Sequence, residues 1–420
     1  MIGRPGGTVV GVRGGLIEAR MPAVGIGTGV RVRARDGRVL PARVIAVDGR
    51  GTTLAPFTGV DGIAAGDRVE ADSSALGVCA GIAMLGRAID ALGRPLDGGR
   101  ELAGPRAGTR RIVPLPADRA RIAAPFVTGI RAIDGPLAFG VGARIGIFGA
   151  PGCGKSTLLE TIVEGSSADV TVVGLVGERG REAERWLARR DARTTVVCAT
   201  SDRSAAERLR AAEVAFVAAE ALRRRGLHVL LVLDSLARVA AAARDLAVAA
   251  GEPAGRGGYP ASVFSVLAGL IERAGAFASG SITLIATVLS DGSDERDPVS
   301  EAARAALDGH IALSERLARQ GWFPAIDIPA SASRTLADVG TPRHRAAAAA
   351  VREALASLAE TREARQFGLD PGAGDSAVRR AMRAEAALAA FLRQSEPADR
   401  TTTLTELHAL ADMLSDGYSH

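Results

Sequence analysis

The chain has 420 residues, of which 47% are hydrophobic and 3% aromatic, and its formal net charge is +5. That length exceeds one ordinary domain and suffices for a large buried core, so two or three domains are expected. The longest apolar stretches, such as His228 to Asp234 and Ala346 to Ala350, fall well short of the roughly 20 residues a membrane span needs. Met1 to Arg20 place Gly and Arg where a signal peptide requires an apolar run, so a cytoplasmic protein is expected.

From Thr8 to Val69, short Val/Ile/Leu segments broken by Gly and Asp-Gly read as a small β-barrel or sandwich, and Val30 to Ala34 alternates strictly. Between Ser73 and Pro125 the many Gly and Pro residues predict an extended connection that wraps or links domains. In the middle third, apolar runs at Arg144 to Phe148, Val170 to Val176, Thr194 to Cys198, His228 to Leu233 and Ser281 to Leu289 alternate with helical patterns such as Ala205 to Arg225. That alternation argues for a parallel sheet covered by helices. After Pro342 the chain turns alanine-rich, with helical spacing over Arg345 to Phe367 and Ser376 to Arg393, separated by a turn at Gly368 to Gly372.

Cys79, Cys153 and Cys198 have neither zinc-ligand nor disulfide-framework spacing and read as free thiols. The basic groups at Arg110-Arg111, Arg189-Arg190 and Arg223 to Arg225 stand among acids or on expected helical surfaces, which favours solvated faces over a nucleic-acid site. Of the 52 basic residues only Lys155 is lysine. Chance would place a lone lysine at a given position on the order of once in 400 tries. Lys155 lies in Gly149-Ala150-Pro151-Gly152-Cys153-Gly154-Lys155-Ser156, which fits G-x-x-x-x-G-K-[ST] between an apolar strand and a helix expected to begin at Ser156. The glycines let backbone N–H groups close around phosphate oxygens. Lys155 is a compact charge that fits between β- and γ-phosphates where the arginine fork does not, and Ser156 is placed to bind Mg²⁺, with Thr157 following. The loop therefore predicts ATP and Mg²⁺ as ligands.

Asp234 ends an apolar run and so falls at the C-terminal edge of a buried strand, where it is expected to orient magnesium through water. Glu178 follows the strand Val170 to Val176 and is placed to polarise an attacking water. Pattern alone does not rank Glu178 against Glu182 and Glu184, and a solvated cluster with Arg179 and Arg181 explains them as well.

Several stretches resemble the ATPases of bacterial type III protein secretion, the injectisome and flagellar export enzymes, relatives of the rotary F-type and V-type catalytic subunits. They are Thr128 to Asp134, the phosphate loop, Gly174 to Glu182, Cys198 to Asp202, Ala250 to Pro253, Gly258 to Phe264, Leu307 to Ile311, Phe323 to Asp327 and Phe391 to Gln394. They span nearly the whole chain in the family's order. The resemblance implies a multidomain α/β protein: an N-terminal β-barrel (1–72), a RecA-like P-loop domain with a parallel sheet (73–342, including the connection 73–125) and a C-terminal α-helical domain (343–420).

It further implies that Glu178 is the general base, that Arg179 lies near the γ-phosphate and that Phe323 packs on adenine. Arg334, in Ala330-Ser-Ala-Ser-Arg334, matches the arginine finger that reaches the adjacent subunit's site. The implied assembly is a homo-hexamer around a coiled-coil stalk protein, with Arg244 to Glu252 near its channel and the C-terminal domain facing chaperone–substrate complexes and the export gate. No nucleic acid is implied, and contact with the bacterial inner membrane is peripheral, through partners. A helicase or a non-catalytic rotary subunit on the same core is the alternative. The first lacks an aromatic platform, since Thr8 to Val69 holds just Phe57, and the second is disfavoured by Lys155, Glu178 and Asp234 in one chain.

The chain departs from the family at several points. It begins almost directly at the expected barrel, where relatives usually carry a segment that binds a stator or regulator protein, so that contact is left open. Arg238-Val239 replaces the usual Arg-Phe, Ser290 to Asp297 is rewritten, and Ser300 stands where aspartate is common. Cys198 to Arg203 and Arg223 to Asp234 lean toward injectisome enzymes, whereas Asp297-Pro298 with Ala302 to Arg304 leans flagellar, and the injectisome is the favoured expectation.

Overall fold

The computed structural model describes residues 6–415 apart from 23, 50, 110–112, 290–296, 368–370 and 374. The basic pair Arg110-Arg111, the rewritten stretch from Ser290 to Arg296 and the start of the Gly368 turn lie outside the described residues. Strands β1 (Gly6–Arg13), β2 (Leu16–Arg20), β3 (Gly29–Arg33), β4 (Val39–Asp48), β5 (Gly51–Pro56) and β6 (Arg68–Ala71) form a barrel in the order β1-β2-β5-β4-β3-β6. It closes because β1 also pairs with β6, which settles barrel over sandwich. In β3, Val30 and Val32 are buried while Arg31 and Arg33 lie on the outer face, the alternation expected of a strand with one wet side.

The central sheet contains β7 (Ala88–Asp90), β8 (Arg144–Gly149), β9 (Val170–Val176), β10 (Thr194–Ala199), β11 (His228–Asp234), β12 (Ser281–Leu289), β13 (Gly309–Leu313) and β14 (Ile326–Ser333). Their order is β14-β13-β8-β12-β11-β9-β10-β7, parallel except for β14. Strand β7 comes from the stretch expected to be a plain connection: that stretch also supplies an edge of the sheet. The central strands are mostly apolar and buried on both sides because both faces are covered. Val229, Leu231 and Leu233 of β11 face one hydrophobic cluster, and Leu230 and Val232 face the other.

Helices α1 (Lys155–Gly165) and α2 (Gly180–Arg189) cover the second face. Helices α3 (Ala205–Arg223), α4 (Leu236–Ala249), α5 (Ala261–Ile271) and α6 (Pro298–Ala306) cover the first. The C-terminal helices α7 (Pro342–Glu360), α8 (Ser376–Leu392) and α9 (Arg400–Ser415) extend the cluster on the second face through Val351, Leu388, Phe391 and Leu407. Helix α7 opens on Thr341, whose hydroxyl accepts from the His344 N–H, with Pro342 at the first position. It ends at Glu360, and a separate short helix, Arg362–Gln366, follows, so the expected single helix to Phe367 is two. Helix α9 went unread in the sequence, although Thr403, Leu407, Leu410 and Leu414 repeat at helical spacing. Among the described residues no helix is long and apolar enough to cross a membrane.

A buried arginine joins barrel to sheet. Arg210 on α3 has no exposed surface, lies 5.0 Å from the Phe57 ring centroid, and donates to Ala91 O (2.7 Å), Leu76 O (2.9 Å) and Thr109 Oγ1 (3.2 Å). Burial lowers its pKa to about 10, so it stays charged. Beside it, Arg43 of the barrel grips Glu213 of α3 through two bonds of 2.9 and 2.5 Å. Arg210→Met should strip the carbonyls of Ala91 and Leu76 of this donor, while Thr109 Oγ1 keeps Arg43, and destabilise the chain by about 2–4 kcal/mol. A lower urea midpoint and new protease cleavage between Asp72 and Thr109 are expected; an unchanged midpoint would show that the acceptors find other partners.

Candidate active site

The loop from Gly149 to Ser156 turns from β8 into α1 at the C-terminal edge of the sheet, where strand ends release polar side chains. Gly152 and Gly154 adopt φ of 84° and 88°, values that cost glycine little. Helix α1 starts at Lys155, one residue earlier than expected, and its N-cap Gly154 has no side chain to occupy the first N–H groups. Those donors and the positive helix end fit phosphate oxygens. The Lys155 ammonium donates to Gly149 O (2.7 Å) and Ala150 O (2.8 Å). Burial lowers its pKa, while Cys153, Asp234, Glu178 and Glu182 nearby oppose that shift.

A cavity of about 260 Å³ opens beside the loop, lined by Cys153, Gly154, Thr157, Phe323, Pro324 and Gln394 among others. Phe323 is half-exposed there, and a Cβ on Gly154 would lie 3.5 Å from its ring. Gln394 holds this wall: its N–H donates to Phe323 O (3.1 Å), its side chain donates to Gly129 O (2.8 Å) and it accepts from the Arg131 N–H (2.6 Å). Three stretches far apart in sequence thus meet around one mostly apolar cavity. A larger cavity of about 510 Å³ lies elsewhere, between β14 and the C-terminal helices, and none of the expected site residues lines it.

Asp234 and Glu178 sit at the neighbouring strand ends, both nearly buried. Asp234 Oδ1 accepts from Thr287 Oγ1 of β12 at 2.5 Å. Burial raises its pKa first of all, and Glu182 adds to the rise. Glu178 is pushed up to about 7, mainly by burial, then by the charge of Asp234 and a hydrogen bond with Glu182; Arg238 opposes the rise. Arg238, in the first turn of α4, donates from Nε to Glu178 Oε1 at 2.9 Å. Gly177, at φ 70°, turns the chain between β9 and Glu178, and the Arg238 side chain lies close against it. The solvated cluster of Glu178 with Arg179 and Arg181 is not what forms: Arg179 is exposed at the N-cap of α2 and Arg238 takes the carboxylate.

Thr287 and the Arg238 contact were missed in the sequence. Their signals were a polar residue near the end of an apolar strand and an arginine one helical turn after Asp234. Among the described residues no group of three or more His, Cys, Asp or Glu forms a metal cage. A Mg²⁺ ion arriving with a nucleotide would need few protein ligands. The Ser156 hydroxyl and the buried Asp234 carboxylate fit that modest donor set.

Arg334 lies apart from these groups. It follows β14, whose Ser333 pairs with Gly309 of β13, and Gly309 pairs with Ile145 near the start of β8. The loop is at the other end of β8, roughly 13 Å away along the strand. Ser333 Oγ donates to Ala138 O (2.8 Å), Thr335 Oγ1 accepts from the Gly140 N–H (3.1 Å), and Arg334 N donates to Asp308 O (2.9 Å). The backbone is anchored on both sides, and the Arg334 side chain is exposed at the edge opposite the chain's own phosphate loop.

A RecA-type parallel sheet with this loop at its edge defines a P-loop ATPase. The ATP synthase alpha/beta family nucleotide-binding domain matches residues 129–333. The chain is 40% identical to the type 3 secretion system ATPase of Pseudomonas syringae pv. tomato, over 98% of this chain and 95% of that protein. It is 42% identical to the SPI-2 type 3 secretion system ATPase of Salmonella typhimurium (93% and 90% covered) and 40% identical to the flagellum-specific ATP synthase of Treponema pallidum (96% and 93%). The solved structure of the assembled ATPase EscN from the enteropathogenic E. coli type III secretion system superposes with a TM-score of 0.91 at 39% identity, covering 96% of this chain and 100% of that one. The chain belongs to the type III secretion ATPase family, which also takes in the flagellum-specific enzymes.

Any step that uses the Glu178 carboxylate as a base requires it deprotonated, so turnover should fall as pH drops through about 7. Removing the cation that lowers this pKa, as in Arg238→Met, should move the acid limb of the kcat profile to higher pH. A limb that stays in place would detach Glu178 from the titration.

Proposed function

We propose that this chain is the ATP-hydrolysing motor of a type III protein secretion system, working as a homo-hexamer whose sites are completed between subunits. The observation that carries this reading is the division of charge across the sheet: Lys155, Glu178 and Asp234 collect at one edge, and Arg334 is anchored and exposed at the other. One chain does not bring its own arginine to its own loop, and a ring of chains would bring each arginine to a neighbour.

In this mechanism the loop N–H groups and Lys155 hold the phosphates, and Phe323 packs against the base. Ser156 and Asp234 would hold Mg²⁺, which when bound neutralises charge on the β- and γ-phosphates. Glu178 accepts the proton of the water that attacks the γ-phosphorus, a role its near-neutral pKa suits. Arg179, exposed beside it, is assigned to the γ-phosphate side, and Arg334 of the neighbour stabilises charge on the transferring phosphoryl group.

Hydrolysis is proposed to drive chaperone release, unfolding and export of secreted proteins, with the C-terminal helices facing chaperone–substrate complexes and an export gate. EscN has also been solved in complex with its central stalk EscO, at a TM-score of 0.86 to this chain, which supports a stalk partner here. An injectisome is favoured over a flagellar system; the EscN likeness supports that choice. The proposed location is the cytoplasmic face of the inner membrane, reached through partners.

Glu178→Gln should bind ATP normally and hydrolyse it about 10²–10⁴-fold more slowly. Near-normal turnover would remove Glu178 from the mechanism. Activity per subunit should rise steeply with protein concentration as rings form. Arg334→Ala should assemble, bind nucleotide and lose about 10³-fold or more in kcat, and mixing it with Lys155→Ala subunits should restore activity. A concentration-independent rate, or no rescue at any mixing ratio, would overturn a shared site.

A further inference from the structure

Strand β14 does not run straight into Arg334. Its ladder with β13 pairs Leu313 with Ile326 and Ala312 with Asp327, then resumes at His310 with Ala332 and Gly309 with Ser333. Ile328 to Ser331 therefore bulge from the ladder opposite the single residue Ile311. A bulge of this kind leaves backbone groups without cross-strand partners.

Side chains supply the replacements. Within the strand pair, Ser331 Oγ donates to Asp327 O (2.6 Å) and accepts from the Ala312 N–H (2.9 Å), while Asp327 Oδ1 accepts from the Ala330 N–H (3.1 Å). Two carbonyls of the bulge are held by larger groups. His310 donates from Nε2 to Ala330 O at 3.0 Å, and Arg352 reaches from α7 to donate to Ser331 O at 3.0 Å. The His310 ring packs edge-on against Phe148 (5.9 Å), and Arg304 lies over that same phenylalanine (4.4 Å), which fixes the imidazole from behind. Burial first, then the guanidinium groups of Arg304, Arg334 and Arg352, lower the His310 pKa, with the Ala330 carbonyl opposing them; facing that acceptor, Nε2 is the nitrogen that carries the proton.

We propose that Arg352 and His310 are positioning residues for the catalytic arginine: by holding the carbonyls of Ser331 and Ala330 they fix the bulge from which Arg334 is presented to the neighbouring subunit. The inference rests on the reading of Arg334 as acting in trans. Ser331 is three residues before Arg334, and a displacement of about 1 Å carried along that short strand is enough to cost about 100-fold in rate. The Arg352 contact also ties the C-terminal helices to the bulge before that arginine.

The test uses the full chain. Arg352→Ala should lower kcat about 30-fold or more, leaving ring assembly, the KM for ATP and the affinity for a fluorescent ADP analogue within about twofold. Arg352→Lys, whose ammonium still reaches one carbonyl, should recover much of the rate. Arg334→Ala with Arg352→Ala should be no slower than Arg334→Ala alone, and Arg352→Ala subunits should regain activity when mixed with Lys155→Ala subunits. His310→Phe, which keeps the ring packing and loses the donor, should give the same pattern and replaces Arg352→Ala if that variant does not fold.

Wild-type kcat in both single variants overturns the proposal. So does a further loss of the same size in the double variant, or a loss accompanied by failed assembly that lysine does not rescue. An inactive Arg334→Ala beside fully active Arg352→Ala and His310→Phe removes this inference alone, whereas a fully active Arg334→Ala removes the trans reading on which it stands.

Discussion

Burying both faces of a parallel sheet leaves the strand ends as the place where charged side chains can gather. Strands β8, β9 and β11 are mostly apolar and buried, and Lys155, Glu178 and Asp234 come after them or at their last residue. The helices that cover the sheet also remove water from this edge, which is why burial is the first cause of the pKa shifts of Lys155, Glu178 and Asp234. A carboxylate poised near neutrality and an ammonium pressed toward neutrality both follow from packing made elsewhere in the core.

The same sheet separates the two halves of the proposed catalysis. Because β14 runs antiparallel, its C-terminal end arrives at the edge where the other strands begin, and Arg334 is delivered away from its own loop. On that proposal, antiparallel placement of a single strand is enough to turn a self-contained site into one completed by a neighbour. The bulge before Arg334 belongs to the same design, since side chains rather than a regular ladder hold the strand as it approaches that residue.

Arginine carries most of the polar framework. Arg210 satisfies three acceptors between barrel and sheet, Arg43 grips both oxygens of Glu213, and Arg144 does the same for Glu272. A planar fork with five donors serves such buried junctions better than an ammonium. The one lysine stands where a narrow group must enter a tight loop, and its contacts with Gly149 O and Ala150 O show how closely that loop fits around it.

Much of this was legible in the order of residues. Apolar runs identified β8 to β12 but not β7, β13 or β14, the Gly149 to Ser156 pattern located the loop, and Asp234 could be placed at a strand end by counting. These features are local: they depend on period, on turn chemistry and on spacing within one segment. What tertiary structure decided is pairwise and distant. Nothing in Val170 to Glu182 says that Arg238 rather than Arg179 takes the Glu178 carboxylate, because that choice depends on where α4 lies over the sheet. Strand β7 is a sheet edge only because β10 offers it a partner, and Thr287 reaches Asp234 only because β12 lies beside β11. Sequence determined which residues could do chemistry; the sheet order determined which of them meet, since contacts between segments are set by burial of the whole core and not by any one segment's pattern.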